Sequence, residues 1–245
     1  MPDRCPRLTL ALIFVALLVT PLLSHQAAAT TLRDKEFTCA LCGKTFPDKV
    51  LGSTNVKERD TELRPYAMGL QPQPYFIHAC PHCGFTDGDH HLKLSDQERA
   101  EIRKFLAAYC QQHRCGQLSP VEKYEVYART LEIRRLPPLT VASQYRHAAW
   151  MADDAGDAAA ARTFREKAIQ LMSQALENSQ VAAKEVPVVT YLVGELNRRQ
   201  GNFPAALNWF GQVKDPDPQL AKILAQQKEL ALKKEAAKAM LPPLK

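Results

Sequence analysis

The chain has 245 residues, 46% of them apolar and 24% charged, with a formal net charge of +6. That composition supports a packed core and excludes wholesale disorder, and the length gives room for one large or two small domains. The charge drops to +5 without the first 29 residues (Arg4 and Arg7 against Asp3). It is spread evenly, so charge alone makes no case for nucleic acid.

At the N-terminus, Arg4 and Arg7 precede an apolar run from Leu8 to Val19, then Thr20-Pro21 and Ala27-Ala28-Ala29. A basic end, a short apolar stretch and small residues at a cleavage point are the order of a secretory signal peptide, here 1–29. The alternative is a retained anchor, but a spanning helix needs about 20 apolar residues and Pro21 interrupts this one. The expectation is an exported protein, periplasmic or envelope-associated, with membrane contact only if this segment is kept.

Residues 30–94 are rich in Cys, Pro, Gly and His. Short β-like pieces, Glu36-Phe37-Thr38 and Tyr75-Phe76-Ile77-His78, lead into Cys39-Ala-Leu-Cys42-Gly and Cys80-Pro-His-Cys83-Gly. Two residues between cysteines let a tight turn aim both sulfurs at one ion, and the following Gly takes the left-handed conformation that closes the turn. Two such pairs predict a four-thiolate zinc ribbon on Cys39, Cys42, Cys80 and Cys83. Four thiolates leave no position for water, so the Zn2+ is expected to be structural. The competing readings are disulfides, favoured by an oxidising compartment, and redox dithiols, for which the surrounding βαβ pattern is missing. His78, His82, His90 and His91 lie nearby and are read as surface or outer-shell groups, since zinc has no vacancy for them.

From Ser95 the texture is helical through the remaining residues, 95–245. Ser95 with Glu98, and Ser119 with Glu122 and Pro120, have capping-box spacing. Cys110 and Cys115 flank the end of the first helix; they are read as a possible disulfide, with free half-buried thiols as the alternative. Pro137-Pro138 stops the second helix. A third is expected over 140–154, a fourth from Asp157 to Val181, and a fifth from Pro187 to Gly201. A sixth is capped by Asn202, and a seventh runs from Pro218 to Met240. Gly194, Gly201, Ala206, Phe210 and Pro218 fall in the small, turn, aromatic and proline order of tetratricopeptide-like hairpins, and the segment around Gly156 is a weaker copy. A plain helical bundle would show similar apolar faces. The fold class is therefore mainly α: a small β zinc ribbon, then a tetratricopeptide-like helical-hairpin domain.

The residues Phe37-Thr38-Cys39-x-x-Cys42-Gly43-Lys44, Lys57-x-Arg59-Asp60-Thr61-Glu62-Leu63-Arg64-Pro65-Tyr66 and His78-Ala79-Cys80-Pro81-His82-Cys83-Gly84-Phe85 together resemble the bacterial domain of unknown function 2225 family. The resemblance implies a zinc-ribbon end joined to tetratricopeptide-like helices, and no reaction. The export segment departs from many members of that family.

Arg59, Asp60 and Arg64 are candidates for a charged rim that receives a ligand; the plainer reading is a loop held by local Arg–carboxylate pairs. For function, stacked helix pairs suit a scaffold that holds another protein or a peptide on the helical face. An envelope enzyme would need groups such as Asp60, His90 and His91 to meet, because no Ser–His–Asp, phosphate-loop or HExxH pattern is visible. Nucleic-acid binding through Lys44, Lys49, Lys57, Arg59 and Arg64 is disfavoured by export and by the low aromatic content.

Overall fold

The computed structural model describes residues 30–241; the expected signal peptide, 1–29, lies outside them. The chain begins with an antiparallel hairpin, β1 (Thr30–Thr38) and β2 (Thr45–Thr54), which pairs Phe37 with Phe46 beside the first cysteine turn. Sequence reading saw only the last three residues of β1 as extended. The remainder is largely exposed, so the hydrophobic alternation that marks a half-buried strand is weak there. A second small sheet pairs β3 (Val56–Arg59) with β4 (Pro65–Ala67), and a third pairs β5 (His78–Ala79) with β6 (Thr86–Asp87). Only His78 of the expected Tyr75–His78 strand pairs. Residues Gln73–Tyr75 form a single 3-10 turn, consistent with Pro72 and Pro74 withholding ladder N–H groups.

Seven helices follow: α1 (Asp96–Tyr109), α2 (Pro120–Ile133), α3 (Pro138–Asp154), α4 (Ala158–Glu177), α5 (Val186–Arg199), α6 (Phe203–Gln212) and α7 (Pro218–Leu232). Both capping boxes form: the Ser95 and Ser119 hydroxyls accept from the Glu98 and Glu122 N–H groups, and each glutamate reaches back to its serine N–H. Asp157 and Asp217 cap α4 and α7 in the same sense. Asn202 caps nothing with its side chain and donates instead to the Asn197 side chain.

Two helices end earlier than the pattern suggests. Ser179 turns left-handed after α4, ahead of Val181. After α7, Lys234 does the same, and the chain doubles back so that Met240 bridges to Asp60. Long-range contacts explain the second stop. The Arg198 guanidinium donates to the Glu235 and Ala237 carbonyls, and the Leu241 N–H donates to the Arg59 carbonyl.

The helices pack as antiparallel hairpins, α3 on α4 and α5 on α6, with α7 against α5 and α6. At Gly194 a Cβ would stand 2.5 Å from the Phe210 ring, so only glycine admits α6 this close. Two hydrophobic cores result, and the packing crosses the expected boundary at residue 95. One core joins the ribbon residues Phe37, Leu41, Phe46 and Phe85 to Ile102 and Leu106 of α1 and Val126 of α2. The other runs through α2–α7 and takes in Ile77 and Leu241.

Candidate metal centre

The two cysteine turns share one backbone design. The Gly43 N–H donates to the Cys39 carbonyl and the Cys39 N–H to that of Lys44; the Gly84 N–H donates to the Cys80 carbonyl and the Cys80 N–H to that of Phe85. Gly43 and Gly84 both take φ of 75°, the left-handed region that a side chain would strain. Each turn thereby presents two sulfurs on one side.

The tertiary fold brings the two turns together. The Sγ atoms of Cys39, Cys42, Cys80 and Cys83 all lie within 4.8 Å of one another. Two close approaches cross between turns: Cys39 to Cys83 at 3.6 Å and Cys42 to Cys80 at 3.7 Å. A disulfide requires about 2.05 Å, so these are not bonded pairs. A tetrahedral ion holding thiolates at about 2.3 Å places its ligand sulfurs about 3.8 Å apart, so the cluster fits such an ion.

As free thiols, Cys39, Cys80 and Cys83 shift one another. The hydrogen bond shared with Cys83 holds the Cys39 thiol down to about 3, while the same bond pushes Cys83 up. Burial pushes Cys80 up to about 11. Four sulfurs this close cannot all ionise without a cation among them, which is the electrostatic requirement a metal meets.

A family model described as "Uncharacterized protein conserved in bacteria (DUF2225)" matches residues 32–233. The chain belongs to this bacterial family. No curated protein and no solved structure matches it.

Around the cysteines of this family member, two histidines are buried. His90 sits among Phe37, Phe46 and Phe85, with Nε2 2.8 Å from the His78 carbonyl. Its Nδ1 is buried without a well-formed hydrogen bond. Burial opposes charge on this ring, but the neighbouring Cys39 sulfur and the His78 carbonyl outweigh it and raise the pKa. His78 stacks on Phe37, and its Nδ1 lies 3.0 Å from Asp48. His82 and His91 are exposed. Cys110 and Cys115 are joined in a disulfide.

The proposed ligand rim requires correction. Arg59 is exposed, but Asp60 and Arg64 are buried, 1% and 2% exposed, and face the helices. Their partners are not each other's side chains. Asp60 accepts from the backbone N–H groups of Glu62 and Arg64 and from the Tyr66 hydroxyl; Arg64 forks onto Asp154 at 2.9 and 2.5 Å. Between them, Thr61 donates to Glu195 at 2.6 Å. Glu62 accepts from Trp150 Nε1 and from the guanidinium groups of Arg165 and Arg199. Arg146 donates to the Glu62 carbonyl and Tyr191 to that of Thr61. Asp153 joins Arg165 and Arg199, and Glu195 pairs with Arg198.

Five carboxylates thus meet five guanidinium groups from α3, α4, α5 and the 60–64 segment. The network is balanced in charge and serves to hold that segment in the helical layer. Asp60 belongs to it, whereas His90 belongs to the ribbon core and His91 to the surface, so the three groups considered for catalysis have separate surroundings. Sequence reading missed Glu62 as a key residue. The available signal was Tyr191, Glu195 and Arg198, polar groups on one face of α5 at spacings of four and three, among apolar residues.

Proposed function

We propose that the chain is a zinc-stapled, exported binding scaffold. The observation that carries this reading is the four-sulfur cluster tying two turns 38 residues or more apart. Cys39, Cys42, Cys80 and Cys83 would hold the ion, and Zn2+ with four thiolates supplies rigidity in place of a large core. The sulfur-only donor set favours zinc over oxygen-seeking cations such as magnesium or calcium. The helical hairpins, with close approach at Gly194, support a tetratricopeptide-like layer.

In such layers the inner face often receives a peptide. Here Thr61–Arg64 occupies the polar face lined by Trp150, Arg165 and Glu195, so a partner is assigned to the neighbouring open surface. That surface is a cleft of about 330 Å³ between the 59–63 segment, the start of α5 and α7, with Leu63, Val188, Leu220, Ile223 and Leu241 as its apolar lining and Arg59 and Asp217 as its charged groups. Its size is within the range of binding clefts, and its chemistry suits an apolar peptide segment carrying a carboxylate for Arg59. The N-terminal pattern supports delivery to the envelope, and among the described residues no helix is long and apolar enough to cross a membrane.

Two measurements test the reading. Elemental analysis and N-terminal sequencing of protein recovered from the envelope should give one zinc per chain and a start at Thr30. A photo-crosslinker at Ile223 should yield a discrete adduct in cells that Arg59→Glu abolishes, with none from the same crosslinker at Lys104 on α1. Equal labelling at both positions would remove the cleft from the proposal.

A further inference from the structure

The disulfide and the second cysteine turn are in direct contact. A Cβ built on Gly84 would lie 2.9 Å from both Cβ and Sγ of Cys115 and 3.6 Å from Sγ of Cys110. One built on Gly116 would lie 3.3 Å from the Pro81 carbonyl. Cys115 and Gly116 therefore lie against the turn that carries Cys80 and Cys83, Cys115 at Gly84 and Gly116 at Pro81. The six cysteines among the described residues all pack in or against the same core. On the other side, the guanidinium of Arg99 in α1 donates to the Ala40 and Leu41 carbonyls of the first turn, at 2.9 and 2.8 Å. One helix thus touches the first turn from its start and, through the disulfide at its end, the second.

We propose that the oxidation state of Cys110–Cys115 controls how tightly the four-cysteine site retains its metal. The inference rests on the reading of that site as a metal centre. As a disulfide, the pair ties the end of α1 to the loop that backs Gly84 and holds the second turn at the spacing the ion requires. A dithiol reductant transfers two electrons and two protons to the pair. The S–S bond breaks, two thiols form, and the reductant leaves with its own disulfide closed. Two non-bonded sulfurs need more room than a bonded pair, and Gly84 leaves none, since even a Cβ would already clash there. Cys115 must then move with its loop, and the backing of Cys80 and Cys83 is lost. Both cysteines are partly accessible, so a reductant can reach them.

The test uses the full chain loaded with Zn2+ and follows release to a chromogenic chelator. Three samples are compared: oxidised wild type, the variant C110S/C115S, and wild type reduced with a phosphine. The reduced wild type guards against a variant that fails to fold, and helical circular dichroism is recorded for all three. Release about 10-fold or more faster from the variant and from reduced protein, with helical signal retained, is the expected result; this is the scale on which groups outside the ligand shell act. Equal rates in all three overturn the redox link while leaving the metal centre intact. Failure of oxidised wild type to bind Zn2+ overturns the metal reading itself, and the link with it.

Discussion

Arg165 donates through both Nε and Nη2 to a single oxygen, Oε1 of Glu62, at 3.0 and 2.8 Å across 103 residues of chain. Both side chains are buried, Glu62 completely. A charge pair of this kind is weak evidence for net stability, because desolvation offsets much of the attraction. It is strong evidence for cooperative dependence, because removing one member strands the others. Glu62→Ala leaves Arg165 and Arg199 with Asp153 as their remaining carboxylate, and Trp150 Nε1 without an acceptor. It should cost about 3–5 kcal/mol in urea unfolding. A loss below about 1 kcal/mol would mean that the network is solvated and contributes little.

The four-cysteine cluster, on its proposed reading as a zinc site, gives a second expectation. Cys80→Ala removes one of four sulfurs in a fully buried position and should abolish stoichiometric zinc binding. The same substitution should expose the ribbon to protease. The helical signal in circular dichroism should fall less, since the core through α2–α7 is a separate cluster from the one around the cysteines. Retention of a full metal equivalent by this variant would point to ligands other than the four cysteines.

The capping boxes predict a pH dependence. At Glu122 burial alone would raise the pKa, but the Ser119 N–H and hydroxyl and His113 together lower it below the ordinary 4.5. A carboxylate lowered in the folded state stabilises fully above its unfolded value and loses that contribution as pH falls through the folded one. The stability gap between wild type and Glu122→Gln should therefore be constant above about pH 5 and narrow below pH 4.5. Ser119→Ala should cost about 1 kcal/mol at neutral pH, measured by denaturant midpoint. A gap that widened on acidification would contradict the sign of this linkage.

Gly194 predicts a packing effect. Gly194→Ala drives a methyl into the Phe210 ring and should destabilise by about 1–3 kcal/mol, despite the better helix propensity of alanine. Phe210→Leu in the same chain should recover part of that loss. A stabilised Gly194→Ala would show that α5 and α6 can separate at little cost.

What the sequence determined by itself was local. The cysteine turns, their glycines and both serine caps depend on residues within about five positions of one another, where the chain's own geometry limits the outcome. The antiparallel hairpins at Gly156 and Gly201 were also legible, because apolar spacing and turn residues coincide there. The tertiary structure alone decided that Cys39 approaches Cys83 while Cys42 approaches Cys80, and that the end of α1 seats its disulfide against Gly84. It also turned the 60–64 segment from an apparent charged loop into the buried centre of the helical layer. A buried Glu62 reads the same in sequence as an exposed one. Its burial follows from the arginines and tryptophan of α3, α4 and α5 that meet it, and no rule of local spacing connects groups 80 to 140 positions apart.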